Sequence, residues 1–153
     1  MAKNGFSMSK RVAVEKITAD KTLTVDDCGK VFIVDTVTQG SAVDITMPNR
    51  ADAQDGWNAT FVMESGSGGG AAAQNVVWSG SAGDSTGEPF VVNCVGIIPA
   101  GASVINGLST SKGTVTLAGT KARNGDTVKI TMAGGNLLGD SWLVEAQTSG
   151  TLS

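Results

Sequence analysis

Asp26, Asp27, Cys28 and Gly29 sit together in the stretch TLTVDDCGKVFIVD, residues 22–35, between two runs of alternating apolar residues. A thiol beside two carboxylates raises the question of nucleophilic or acid–base chemistry. A nucleophilic cysteine is activated by a histidine base, a nearby cation or a helix N-terminus. The chain contains no histidine, and the two flanking carboxylates supply the wrong charge for that task. Lys30 is the only local cation, and it opens the next apolar run. The stretch is therefore expected to be a β-hairpin connection, with Gly29 taking a positive φ and the Asp side chains bonding to turn backbone.

Other chemistries lack their residues. Two cysteines, Cys28 and Cys94, with no histidine leave a zinc site without ligands. Their expected state is reduced and buried rather than disulfide-bonded. Asp52, Asp55 and Gly56 miss the spacing of a calcium loop. Gly66, Gly68 and Ala71 fit a loose GxGxxA, but no βαβ unit surrounds them and Asp84 follows too soon for a ribose-binding acid. No GK[ST] is present for a P-loop. Asn58, Ala59 and Thr60 match a glycosylation sequon inside an expected strand. Paired glycosidase carboxylates leave no linear pattern, and the aromatic platforms that accompany them are scarce: Tyr is absent and Trp numbers three. Trp57, Trp78 and Trp142 each stand in an apolar run, which points to core or interface roles. The expectation is a protein without catalytic residues, cofactor or metal.

The elements that must carry these residues are strands. Two-residue alternation recurs along the chain and helical spacing hardly at all. Strands are expected over 11–17, 22–25, 30–36, 42–47, 57–64, 75–79, 90–95, 103–108, 113–118, 126–132 and 141–146, with one helical turn fitting 49–54. About ten short strands separated by Gly, Pro and Asn turns predict an all-β fold, a compact β-barrel or β-sandwich. An extended arm, residues 1–11, is expected to precede a single β domain over 12–153. Residues 64–75, ESGSGGGAAAQN, read as a flexible loop. Met1 to Arg11 lacks the apolar core of a signal peptide, and no apolar run approaches the roughly 18 residues of a membrane span, so synthesis in a cytoplasm with no membrane partner is expected.

Charge is unevenly spread. The net is −3 and charged residues make up 16% of the chain, below the usual value of about 25%. No basic excess marks a nucleic-acid binder. Residues 51–111 contain no Lys or Arg. The apolar stretch 89–105 thus lacks the Lys that usually protects exposed edges, and is expected to be covered by its own domain or by another copy. Phe90, Val92, Ile97 and Ile98 are the candidate oligomer-interface residues. The arm carries Lys3, Lys10 and Arg11 with no acid, and places Phe6 and Met8 on one side of an extended chain.

The runs ITADKTLTVDDCGKVFIVD, residues 17–35, and VDITMPNRADAQDGWNATFVME, residues 43–64, resemble a pattern of tailed-bacteriophage structural proteins. In that pattern a TAD-x-TLT-x-x-D-x-GKxF-x-x-D stretch leads to an xxTLP-x-A-x-x-GW-x-x-xFxx stretch. NGDTVKITMAGGNLLGDSWLVEA, residues 124–146, is similar to the final strands of such modules. Cys28, Asp44 and Met47 depart from the pattern. Proteins of this kind include head decoration (cement) proteins, head fibres and parts of tail fibres. The resemblance implies a virion protein on the capsid exterior that binds the major capsid protein and stabilises the expanded head, or alternatively a fibre module binding a host receptor or glycan. It implies a homo-oligomer, a trimer first and a dimer second. Lys3, Phe6, Met8, Lys10 and Arg11 are the candidate capsid-binding residues, through an arm that orders on docking. The long stalk to which a fibre module is normally attached is missing from the sequence, which favours decoration.

Overall fold

The structure is a computed structural model that describes residues 12–64, 74–81, 90–94, 113–119, 123–134 and 141–148. The strands are β1 (Val14–Ile17), β2 (Lys21–Thr22), β3 (Val31–Asp35), β4 (Val43–Thr46), β5 (Asn58–Glu64), β6 (Val76–Ser79), β7 (Phe90–Cys94), β8 (Thr114–Leu117), β9 (Thr127–Ala133) and β10 (Ser141–Gln147), with a 3₁₀ turn over Val25–Asp27. The fold is all-β. Ten of the eleven expected strands have a counterpart, while 103–108 and most of the loop at 64–75 lie outside the described residues. The expected helical turn is present as two bonds to the Asn49 carbonyl, from the Asp52 and Ala53 N–H groups, both at 3.0 Å.

A six-stranded sheet runs in the order β1-β3-β5-β9-β10-β7, and a four-stranded sheet in the order β2-β4-β6-β8. They do not close into a barrel, so of the two expected architectures the sandwich is the one adopted. From β1 to β6 successive strands alternate between the sheets, and within each sheet they pair in parallel: β1 with β3, β3 with β5, β2 with β4, β4 with β6. The chain therefore winds through the two layers as three successive coils. Parallel neighbours need a crossover, and here the other sheet supplies it instead of a helix. Antiparallel pairs, β5 with β9, β9 with β10 and β6 with β8, and the parallel pair of β10 with β7 complete the sheets.

This winding corrects the hairpin expected over residues 22–35. The strands on either side of Asp26-Asp27-Cys28-Gly29 belong to different sheets, β2 beside β4 and β3 between β1 and β5. The turn signals were present, yet a turn motif says only that the chain reverses. Which neighbour a strand then pairs with is set by the apolar faces that must meet.

Those faces follow the alternation. Phe32 and Val34 point inward, with Val31 and Ile33 half-buried on the opposite side. Ala59, Phe61 and Met63 continue the inner face on β5, and Val43, Ile45, Val76 and Trp78 meet them from the other sheet. Phe32 stacks on Phe61 with ring centroids 5.5 Å apart, and Phe61 meets Trp78 edge-on at 5.5 Å, joining the two layers. Trp57 and Trp142 form a second edge-on pair at 5.3 Å. Each such pair contributes about 0.5–1.5 kcal/mol beyond the area it buries. All three tryptophans are core residues, one of the two roles read from their apolar surroundings.

Candidate functional site

The Asp26-Asp27-Cys28-Gly29 turn is a structural knot. Asp27, only 6% exposed, accepts hydrogen bonds from the Thr24 N–H (2.8 Å), the Thr24 hydroxyl (3.2 Å) and the Lys30 ammonium (2.6 Å). Burial pushes its carboxyl pKa up, but the bonds from Lys30 and Thr24 outweigh that and hold it below the usual carboxylate range. Lys30 is raised in return, chiefly by Asp27. Glu15 extends the network from β1, 2.6 Å from Lys21 and 3.6 Å from Lys30. Gly29 has φ +77°, as expected, and its N–H donates to the Asn58 carbonyl at 2.7 Å, tying the turn to β5. Cys28 is a free thiol and is exposed. Its expected burial is thus corrected: the alternation of the flanking runs does not extend through a 3₁₀ turn, so the side chain projects to solvent. Among the described residues no group of three or more Cys, Asp or Glu is placed to hold a metal ion.

The outer face of the six-stranded sheet has a different character at its β1 end. Cross-strand register puts Val14 beside Val31 and Thr60, and Lys16 beside Ile33 and Val62. Val12 and Val14 are 58% and 62% exposed. Together with half-buried Val31, Ile33 and Val62 they form an apolar surface over β1, β3 and β5, the β1 half of the sheet. Lys16 borders it, bridging Glu64 (2.5 Å) and Asp35 (3.4 Å). The Glu64 bond, then Asp35, raise the Lys16 pKa. Asp35 is held well below the usual carboxylate range, first by the Thr38 hydroxyl and further by the N–H groups of Val37 and Thr38 and by Lys16.

The outer face of the four-stranded sheet is polar instead. Its register aligns Thr22, Thr46, Ser79 and Thr114 in one row.

The candidate residues named from sequence divide accordingly. Lys3, Phe6, Met8, Lys10 and Arg11 lie outside the described residues, immediately upstream of exposed Val12. Phe90 is fully buried in its own chain. It opens β7, pairs with Trp142 and faces the core, so its ring has no surface for a partner copy, which corrects its assignment to the oligomer interface. Val92 follows on β7, level with Val144; its side chain, and all of Ile97 and Ile98, are outside the described residues. The Val14, Val31, Ile33 and Val62 surface was not singled out from sequence. Its signal was the unbroken apolar run Val31-Phe32-Ile33-Val34, since a strand apolar on both faces is one covered on both faces.

No protein-family model matches the chain, and no curated protein matches it. Among the described residues no helix is long and apolar enough to cross a membrane.

Proposed function

We propose that this chain is a virion structural protein that docks on the outer surface of a phage capsid and stabilises the expanded head, a decoration protein without enzymatic activity. The observation that carries the reading is the apolar outer face of β1, β3 and β5, bordered by the Lys16, Asp35 and Glu64 ion pairs. An apolar centre with a charged rim is the anatomy of a protein–protein contact. The resemblance of residues 17–35 and 43–64 to phage head and fibre modules supports the same partner, the major capsid protein.

The physical work is linkage. A protein that binds the assembled lattice and not its dissociated subunits adds about 2.7 kcal/mol per site at a free concentration a hundred times its Kd. A homo-oligomer, a trimer in the first instance, would bridge several subunits at once. The basic arm, residues 1–11, precedes Val12 in the sequence and would extend the contact, its charges steering the encounter and Phe6 and Met8 anchoring it.

The test compares binding to undecorated heads at low and high salt by full-length protein, a form lacking residues 2–10, and Val14→Asp. Val14→Asp is expected to lower affinity at least tenfold at both salts. The deletion is expected to weaken binding, with the charge part of the loss shrinking as salt rises. Equal occupancy by all three would refute the docking face, and a stable mass near 15.4 kDa by light scattering would refute the oligomer.

A further inference from the structure

β1 and β2 form the first coil of the winding and are outermost in their strand orders, so both outer edges lie at the same end of the sandwich. Among the described residues no strand lies beyond either of them. The Val31 N–H donates to the Ala13 carbonyl and the Leu23 N–H to the Thr46 carbonyl, both at 2.9 Å. Backbone groups of successive residues alternate in direction along a strand, so the N–H and C=O of Val14, Lys16 and Thr22 face the open side. An edge of this kind is a template for the addition of further strands.

Behind those edges the core ends in charge. Cross-strand register runs Glu15, Phe32, Phe61 and Val128 across the six-stranded sheet, and Lys21, Ile45, Trp78 and Val115 across the four-stranded one. The last three members of each row are fully buried core residues. The edge member is an acid in one row and a base in the other. They meet: Lys21 Nζ lies 2.6 Å from Glu15 Oε1 and 5.7 Å from the centroid of the Phe32 ring. Lys30 Nζ stands 3.6 Å from the second Glu15 oxygen. An ion pair thus spans the end of the core from one sheet to the other, with its lysine and glutamate side chains 26% and 40% exposed. Lys16, the other charge on β1, is drawn over the outer face to Asp35 and Glu64 and does not guard the edge itself.

We infer that the Glu15–Lys21 pair is an assembly stop, which keeps two copies of this chain from joining at their β1/β2 ends. A twofold axis normal to the sheets would set each of the two edge strands antiparallel to its own copy, and would run both inner rows on into the second molecule. The geometry of the edges allows that union; the charges at 15 and 21 oppose it. Joined ends would close over two such pairs and strip the water that now solvates them. An ion pair taken out of water loses more solvation than its own attraction returns, unless further hydrogen bonds complete it. Inward-pointing charge on an edge strand is a general way of preventing strand addition. Here both sheets use it, with opposite signs, at one end. The inference concerns the edges and not the outer face of β1, β3 and β5, so it does not rest on the capsid-docking reading, and it is compatible with an oligomer formed through other surfaces.

Sedimentation velocity of the full chain over a range of concentrations tests it. The parent is compared with the double variant Glu15→Val, Lys21→Ile and with the milder Glu15→Thr, Lys21→Val. A near-ultraviolet circular dichroism spectrum like the parent's identifies the variants that are folded. Each double variant is expected to reach at least twice the parent's mass as concentration rises, whatever oligomer the parent itself forms. Adding Lys16→Pro, which deletes an N–H on the open edge, should return the mass to the parent value. Adding Lys16→Gln instead removes the same ammonium but keeps the N–H, and should leave the association in place. Folded double variants that keep the parent's mass at every concentration, or an association that Lys16→Pro and Lys16→Gln change alike, would overturn the assignment. None of these measurements involves undecorated heads, so failure here is distinct from failure of the docking proposal.

Discussion

Asp27→Ala is the substitution that most directly tests the structural role of the Asp-Asp-Cys-Gly turn. The side chain is 6% exposed and accepts three hydrogen bonds, one of them from an ammonium. A hydrogen bond involving a charged group contributes about 1.5–3 kcal/mol, and loss of a capping carboxylate costs about 1 kcal/mol. The partner lysine is partly solvated, which discounts its share, so a loss of about 2–3 kcal/mol is expected for the Asp27 carboxylate as a whole. For a chain of this length each kcal/mol moves the midpoint by about 2–4 °C, so Tm should fall by about 4–12 °C. Asp27→Asn can keep the bond from the Thr24 N–H and should lose about half as much. Asp26→Ala, exposed and one residue away, should stay within about 0.5 kcal/mol of the parent.

The pH dependence has a definite sign. The folded-state pKa of Asp27 lies below its unfolded value. Its contribution is therefore complete above the unfolded pKa of about 3.9 and is lost as pH falls through the folded pKa. Urea unfolding of parent, Asp27→Ala and Asp26→Ala at pH 7 and at pH 3 and below reads both effects. If Asp27→Ala matched Asp26→Ala at neutral pH, or if its deficit grew on acidification, the turn would not be held as described.

Gly29→Ala should destabilise by about 1–2 kcal/mol, because φ +77° is costly for a residue with a Cβ even though the surrounding space is open; chemical denaturation measures it. Cys28→Ser should leave stability within about 0.5 kcal/mol and remove a thiol that reacts with a disulfide reagent in the folded protein, since Cys28 is exposed and unpaired. Phe61→Ala should cost about 3–5 kcal/mol, the usual penalty for emptying a buried aromatic site, because its ring contacts Phe32 within its own sheet and Trp78 across the sandwich; a thermal melt and loss of near-ultraviolet circular dichroism report it. Asp35→Asn should narrow the acid range of stability, because a carboxylate held below its ordinary pKa contributes above the unfolded value and is lost only as pH falls below it; comparing acid unfolding of variant and parent checks the sign.

Period-two alternation determined the class of this protein and the inner face of most of its strands. Phe32, Val34, Phe61, Trp78 and Trp142 are core residues because each stands at an apolar position in such a run, and no tertiary information was needed to place them. Gly29 was legible as a turn residue for an equally local reason, its tolerance of positive φ. Histidine, a GK[ST] phosphate loop and clustered cysteines are absent from the sequence, and that is a statement about composition alone.

Pairing was not local. A strand's alternation states which side chains face inward and is silent on which strand lies beside it, so the hairpin over residues 22–35 and the coiled, parallel winding of β1 to β6 read identically from sequence. The same limit hid the outer-face surfaces. Val14, Val31, Ile33 and Val62 become one apolar face only when β1, β3 and β5 are neighbours, and Thr22, Thr46, Ser79 and Thr114 become one row only through the register of β2, β4, β6 and β8. Phe90 went the other way, an apolar residue without protective charges that its own core covers. What tertiary structure alone decided was adjacency, because the free energy that selects one strand order comes from burying faces separated by tens of residues, and no local pattern carries that information.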